Sequence, residues 1–111
     1  GARKHIFISG TASIDNRGEI VYPGDIVKQT ERMMENINVL LKEADATTGD
    51  ITQAITYLRD MADYAAVKKY FEAHYPDLPH LIVLAPVCRP GWLIETECIA
   101  VVPTESSFKP L

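Results

Sequence analysis

Apolar and polar residues alternate along the stretch from Leu93 to Val102, a pattern typical of a β-strand, whose successive side chains point to opposite sides. One predicted face carries Leu93, Glu95, Glu97, Ile99 and Val101, and the other carries Ile94, Thr96, Cys98, Ala100 and Val102. Neither set has the composition of a plain solvent face. We therefore expect both faces to be covered, and the two neighbouring carboxylates need an explanation.

Between Ile26 and Ala44 the period changes to that of an amphipathic helix. Asp25, which follows a Pro-Gly break, is suited to begin this helix as its N-cap. The apolar and small residues of the stripe are Thr30, Met33, Met34, Ile37, Leu40, Leu41 and Ala44. We interpret the two methionines as fillers of the core.

The remaining patterns predict a mixed sheet with two helices on one face. Their order is β-β-α-β-α-β-β, which indicates the α/β (α+β) class. A second, apolar sheet face would then need a partner, so we expect oligomerisation. We expect one domain, residues 1–111, with residues 103–111 as a loose tail. Besides the first helix, the predicted elements are a turn at Asp15–Gly18, a helix at Ala62–Tyr75 and five strands. The strands are predicted at His5–Ile14, Glu19–Tyr22, Ile51–Asp60, His80–Val87 and Trp92–Val102.

Composition narrows the classes of function. Apolar residues make up 47% of the chain and charged residues 23%, and the net charge is −4, which argues against nucleic acid as a partner. The longest apolar run, Leu81–Cys88, is too short to span a membrane. We find no signal segment and expect a cytoplasmic protein. The common nucleotide, zinc and serine-hydrolase motifs are missing from the sequence, so we expect no cofactor and no metal.

The candidate chemistry lies around the turn before the last strand. Glu95 is the carboxylate nearer this turn, where apolar neighbours would raise its pKa and suit it to general acid or base catalysis. Arg89 would either bind a substrate carboxylate or pair with Glu95 in a salt bridge, and both remain open. Cys88 precedes this cation, which favours the thiolate, whereas Cys98 is expected to be a buried hydrophobe and Glu97 a structural residue.

Four stretches of the sequence resemble the YjgF/Rid superfamily, also called the L-PSP endoribonuclease or translation-initiation-inhibitor family. They are "FISGTASID", "GDIVKQTERMMENINVLLKEA", "GDITQAITYLRDMADYAAVKKYFEAHYP" and "IETECIAV". The resemblance implies a chorismate-mutase-like fold and a homotrimer around a barrel formed by three sheets. It also implies that ligands bind in clefts between subunits.

The best-known activity of that superfamily is the hydrolysis of enamines and imines to keto acids and ammonia. The resemblance implies that Glu95 positions the water. In the family an Arg shortly after a Pro holds the substrate carboxylate, but the corresponding segment here, Leu78–Val83, contains no Arg. Arg89 or Arg59 would then have to hold the carboxylate from another direction.

The stretches "SGTASI", "GDIVKQT", "YLRD" and "VCRPGWLIETE" are similar to the chorismatase-like branch, which hydrolyses an enol ether. This similarity implies an active site lined by Cys88 and Glu95. It adds Gly10, Thr11 and Ala12 as substrate-binding residues.

Three functions remain open at this point. The first is a hydrolase of an enol ether, imine or enamine that binds a small carboxylate metabolite. The second is a non-catalytic binding or oligomerisation module, or a C-terminal fragment of a larger enzyme, because chorismatase-like enzymes carry an additional N-terminal domain. The third is a ribonuclease, against which the acidic composition speaks.

Overall fold

The computed structural model describes residues 2–85 and 91–103. It has the expected mixed architecture of a sheet and two helices, but the sheet has four strands where the sequence predicts five. Two short 3-10 turns, Thr48–Asp50 and Met61–Asp63, precede the second strand and the second helix. The strands are β1 (Arg3–Thr11), β2 (Ile51–Leu58), β3 (His80–Leu84) and β4 (Ile94–Pro103), and the helices are α1 (Ile26–Glu43) and α2 (Tyr64–His74).

The strand order in the sheet is β1-β4-β2-β3. Strand β4 lies in the middle and pairs antiparallel with both β1 and β2. Strand β3 pairs parallel with β2, and α2 forms the crossover between them. The last strand of the chain is therefore central, and β1 and β3 form the two edges.

The predicted second strand, Glu19–Tyr22, is not a strand in the structure. The predicted turn before it does form, with the Gly18 N–H donating to the Asp15 carbonyl at 3.0 Å, but only one isolated bridge, Ile14 to Ile20, follows. Tyr22 has φ of 58°, in the left-handed region, and this ends the extended backbone after the bridge. The hairpin is therefore a turn and one bridge.

Helix α1 begins where the sequence predicts. The Asp25 carboxylate accepts the backbone N–H of Lys28 at 3.0 Å and caps the first turn. The buried side of the helix contains both methionines, which confirms their interpretation as core residues. The residues buried in α1 are Gln29, Thr30, Met33, Met34, Ile37 and Leu41.

The two faces of the sheet differ sharply in exposure. The covered face packs against the helices and includes Ile8, Leu58 and Ile94, which are at most 5% exposed. On the other face, Phe7 is 68% and Leu81 59% exposed. We call the second surface the open face. It includes His5, Phe7, Gln53, Ile55, Tyr57, Leu81, Val83, Glu95, Glu97, Ile99 and Val101.

A row of polar side chains crosses the covered face. The Thr56 and Thr96 hydroxyls are hydrogen-bonded at 2.7 Å, and the Thr56 hydroxyl also bonds to Nε2 of His80. The centroids of the His80 and Phe71 rings lie 4.2 Å apart. Burial lowers the pKa of His80 to about 4. The imidazole is therefore neutral at physiological pH, and the row ties β4, β2 and β3 together.

The predicted C-terminal tail, residues 103–111, begins one residue too early. Pro103, assigned by prediction to the loose tail, is the last residue of β4 and is paired with Arg3. Residues 104–111 lie outside the described part, so the rest of that prediction stays a prediction.

No helix within residues 2–85 and 91–103 has the length and hydrophobicity needed to cross a bilayer.

Candidate functional site

A β-bulge in strand β1 lies beside β4. Ile8 pairs with Cys98 and Thr11 pairs with Thr96, so β1 has one more residue than β4 over this interval. The extra residue falls at Ser9 and Gly10. Bulges bend a strand locally, and they are common next to active sites.

The bulge brings Gly10 against Glu95. A Cβ built on Gly10 would lie 2.8 Å from the carboxyl carbon of Glu95 and 3.2 Å from its Cγ. Only glycine leaves room for the carboxylate at this place. The structure thus brings together two residues that the sequence assigned to one site.

The second carboxylate of β4 has a specific partner on β2. Tyr57 pairs with Glu95 in the sheet, and its hydroxyl donates a 2.7 Å hydrogen bond to Oε1 of Glu97. This bond, with desolvation and the charges of Glu97 and Glu95, raises the pKa of the Tyr57 phenol. Glu97 is therefore held by Tyr57, a residue that the sequence analysis did not select.

Arg59 lies at the end of β2. Its backbone N–H donates to the Leu93 carbonyl at 3.1 Å, which continues the β2–β4 ladder by one step. By strand alternation this places Arg59 on the same side of the sheet as Tyr57 and Glu95. Cys88 and Arg89 lie outside the described residues, so their roles stay predictions.

Thr11 and Ala12 are buried. The Thr11 hydroxyl donates to the Ser9 carbonyl at 2.9 Å, and the Ala12 carbonyl accepts a bond of the same length from Nδ2 of Asn36. Their side chains are thus part of the packed turn after the bulge, and the prediction that Gly10, Thr11 and Ala12 bind substrate stays a prediction. Asn36 is a further residue that the sequence analysis missed, because on α1 it reads as one polar helix residue among many.

A groove of about 700 Å³ runs between β1 and α1 and is lined in part by Gly10. It continues past the bulge to Asn16, and its α1 wall includes Arg32, Asn36 and Val39. The segment that the family resemblance associates with an Arg places Leu81 and Val83 on the open face. Among the described residues, Arg59 at the end of β2 is a candidate for an anion ligand on this side of the sheet.

The remaining ionisable groups refine the chemistry. Cys98 lies on the covered face, where burial raises its thiol pKa to about 11, which confirms its interpretation as a buried hydrophobe. Within the described residues no group of three or more His, Cys, Asp and Glu side chains is placed to hold a metal ion. What the geometry offers is a partly exposed carboxylate on a glycine bulge, suited to accept a proton from water.

Comparisons with known proteins place this geometry in a family. The model of the family described as Endoribonuclease L-PSP matches residues 1–102. A RutC family protein of Pyrococcus abyssi is 38% identical over 98 residues, which are 86% of this chain and 76% of the relative. The 3-aminoacrylate deaminase RutC of Acinetobacter baylyi is 29% identical over 97 residues, covering 86% of this chain and 77% of the relative.

A solved structure shows the same fold. The Rid-family protein YyfB of Yersinia pestis superimposes with a TM-score of 0.80 at 26% identity, over 89% of this chain and 79% of that chain. The family match, the relatives and the shared fold agree with the resemblance found in the sequence. The chain belongs to the Endoribonuclease L-PSP family, within the YjgF/Rid superfamily.

Proposed function

We propose that this protein hydrolyses a small imine or enamine that carries a carboxylate, and that Glu95 activates the water. The observation that carries the proposal is the contact between the Glu95 side chain and the Gly10 bulge, which fixes a carboxylate at a partly exposed point of the open face. The deaminase name of the Acinetobacter relative supports C=N hydrolysis over hydrolysis of an enol ether.

The reaction adds water to a C=N bond and then breaks the C–N bond, with no oxidant or reductant. An enamine enters it after a proton from solvent adds to its β-carbon and gives the protonated imine. Glu95 accepts a proton from water while the water oxygen bonds to the carbon of the protonated imine, giving a carbinolamine. Glu95 then returns the proton to the nitrogen, the C–N bond breaks, and ammonia leaves as the hydroxyl becomes a carbonyl and releases its own proton to solvent. Arg59, and Arg89 as a prediction from sequence, would bind the substrate carboxylate through the guanidinium group.

The same proposal includes a homotrimer with ligand clefts between subunits. Phe7 and Leu81 leave a large apolar area uncovered on the open face, and a surface of this kind usually marks an interface. Covering the face would also enclose the site, because Glu95 lies on it. Light scattering after gel filtration should give three times the mass of the chain.

The test of the catalytic role is the variant Glu95→Gln. It removes the proton acceptor and keeps the shape of the side chain, so we expect turnover to fall by about 100- to 10,000-fold. The assay follows ammonia or keto-acid formation from enamines generated in situ. Glu72→Gln, at an exposed residue of α2, is the matched control and should retain full activity. Full activity in the Glu95 variant would remove Glu95 from the mechanism.

Two other functions remain as outcomes of the same assays. Turnover of chorismate, with no turnover of imines, would favour the chorismatase-like reaction. A folded wild-type protein that turns over neither class, and shows no thermal shift with keto acids or aromatic carboxylates, would indicate a non-catalytic module. A real ligand should raise the unfolding temperature as its concentration exceeds Kd.

A further inference from the structure

Glu95 and Glu97 lie two residues apart on one face of β4, so their Cβ atoms are roughly 7 Å from each other. Both side chains are partly exposed. Because the two groups have the same chemistry, either carboxylate could accept a proton from a water bound between them or attract a cationic intermediate. A site that uses one carboxylate as the base needs something to keep the other out of the reaction.

Tyr57 is placed to do this. It lies opposite Glu95 in the β2–β4 pairing, yet its hydroxyl donates diagonally to Oε1 of Glu97 at 2.7 Å. Hydrogen bonds to a charged acceptor are stronger than those between neutral groups. The Glu97 carboxylate is thus tied to β2, whereas the Glu95 side chain packs on the backbone of β1 at Gly10.

We propose that Tyr57 is a positioning residue, which holds Glu97 against β2 and so leaves Glu95 as the carboxylate that meets water and substrate. This inference rests on the proposed hydrolase function and adds a residue to it. Tyr57 acts through Glu97 and transfers no proton itself. Because the two carboxylates raise the pKa of its phenol, the hydroxyl keeps its proton and remains a donor throughout the physiological range.

A double-mutant cycle separates this role from simple packing. Tyr57→Phe removes only the hydroxyl, so Glu97 leaves β2 in a larger fraction of the molecules and kcat should fall by up to about 10-fold, the limit that loss of one charge-assisted hydrogen bond allows. Adding Glu97→Gln to Tyr57→Phe removes the competing charge, and most of the lost kcat should return. A double variant no better than Tyr57→Phe alone would overturn the proposal, because a packing role cannot be rescued in this way.

The pH profile gives a second readout. In Tyr57→Phe the Glu97 carboxylate is free to move toward Glu95, and the closer like charge disfavours the doubly ionised pair, so the acid limb of kcat/KM should move to higher pH. The double variant lacks this charge, so its limb should lie no higher than in wild type. Tyr64→Phe, at a partly exposed residue of α2, is the control and should change neither kcat nor the profile.

Titration of the phenol tests the tether without any substrate. The Tyr57 component, found as the difference between wild type and Tyr57→Phe in tyrosinate absorbance, should titrate above the ordinary value of 10 and should fall toward it in Glu97→Gln. If the Tyr57 phenol titrates at the same pH in Glu97→Gln as in wild type, the positioning role is overturned even in an active enzyme. A normal Glu97-dependent titration in a protein that hydrolyses no imine would instead overturn the proposed function, and the catalytic side of this inference with it.

Discussion

The two faces of the sheet are made by the same strands, yet they do different things. On β4, Ile94, Thr96 and Cys98 are buried beneath the helices, while Glu95 and Glu97 on the alternate positions are partly exposed. The covered face supplies burial and a satisfied row of polar groups. The open face supplies ionisable groups and uncovered apolar area. Residues for stability and residues for the proposed chemistry thus alternate along the strand, so variants on the two faces should affect different properties.

The sharpest test of the comparison uses two isoleucines of β4. Ile94→Ala empties a fully buried position and should lower the free energy of unfolding by about 2–5 kcal/mol. Ile99→Ala, on the open face, should cost clearly less in an isolated subunit, because its side chain is only partly buried. Urea unfolding measures the difference at protein concentrations where light scattering shows a single subunit. Equal losses under those conditions would contradict the separation of the two faces.

Gly10→Ala should lower turnover more than stability. The added methyl group overlaps the end of the flexible, partly exposed Glu95 side chain, which can turn away, so we expect a stability cost of no more than about 1 kcal/mol. Turnover should fall as it does in Glu95→Gln. Chemical denaturation and the ammonia assay measure the two effects separately. Normal turnover in this variant would contradict the assignment of the bulge to the site.

Acid should weaken the covered face through His80. Its folded pKa of about 4 lies below the ordinary 6.5, so the fold favours the neutral ring. Stability is therefore fully present above pH 6.5 and is lost as pH falls toward 4, since the unfolded chain binds the proton first. His80→Gln should flatten this part of the curve of unfolding midpoint against pH.

Asp15 affects the pH dependence of stability in a more acidic range than His80 does. Backbone hydrogen bonds from Glu19 and Arg17 lower its pKa below 3.8, so its contribution is present above that pH and is lost below it. A loss between pH 6.5 and 4 that persists unchanged in His80→Gln would assign the acid sensitivity to other groups.

The smallest effect on subunit stability is expected for Phe7→Ser on the open face. Because Phe7 is 68% exposed, the change should cost no more than about 0.5 kcal/mol in the folding of one subunit. The mass measured by light scattering should nevertheless fall from trimer to monomer. Val39→Ser, at a 56% exposed residue of α1, is the control and should leave the mass unchanged. An intact assembly in Phe7→Ser would place the interface elsewhere.

Local patterns allowed much of this fold to be predicted. The start of α1 at Ile26 and its cap at Asp25 follow from helix periodicity and capping chemistry, which are local properties. The two faces of β4 follow from alternation. The strand predicted at Glu19–Tyr22 was wrong, because a β-rich composition does not reveal the left-handed backbone of Tyr22.

The site was predictable only in part. Gly10 and Glu95 were linked by the family resemblance, but the contact between them depends on a bulge that no local pattern shows. Tyr57 was missed because its meaning depends on the register between β2 and β4, which are separated by some forty positions along the chain. Pairing register is set by the whole sheet, so single-strand periodicity cannot assign the partner of Glu97.

The bulge at Ser9 and Gly10 also makes β1 adjustable in length. Deleting one of these residues would let Ile8 and Thr11 keep their partners, Cys98 and Thr96, in an unbroken ladder. Every other side chain of β1 would then remain on its present face. The shortened strand would be flatter, with the same core but without the space that the Glu95 carboxylate occupies beside Gly10. One residue of β1 therefore distinguishes a strand that only supports the sheet from a strand that also carries the proposed site.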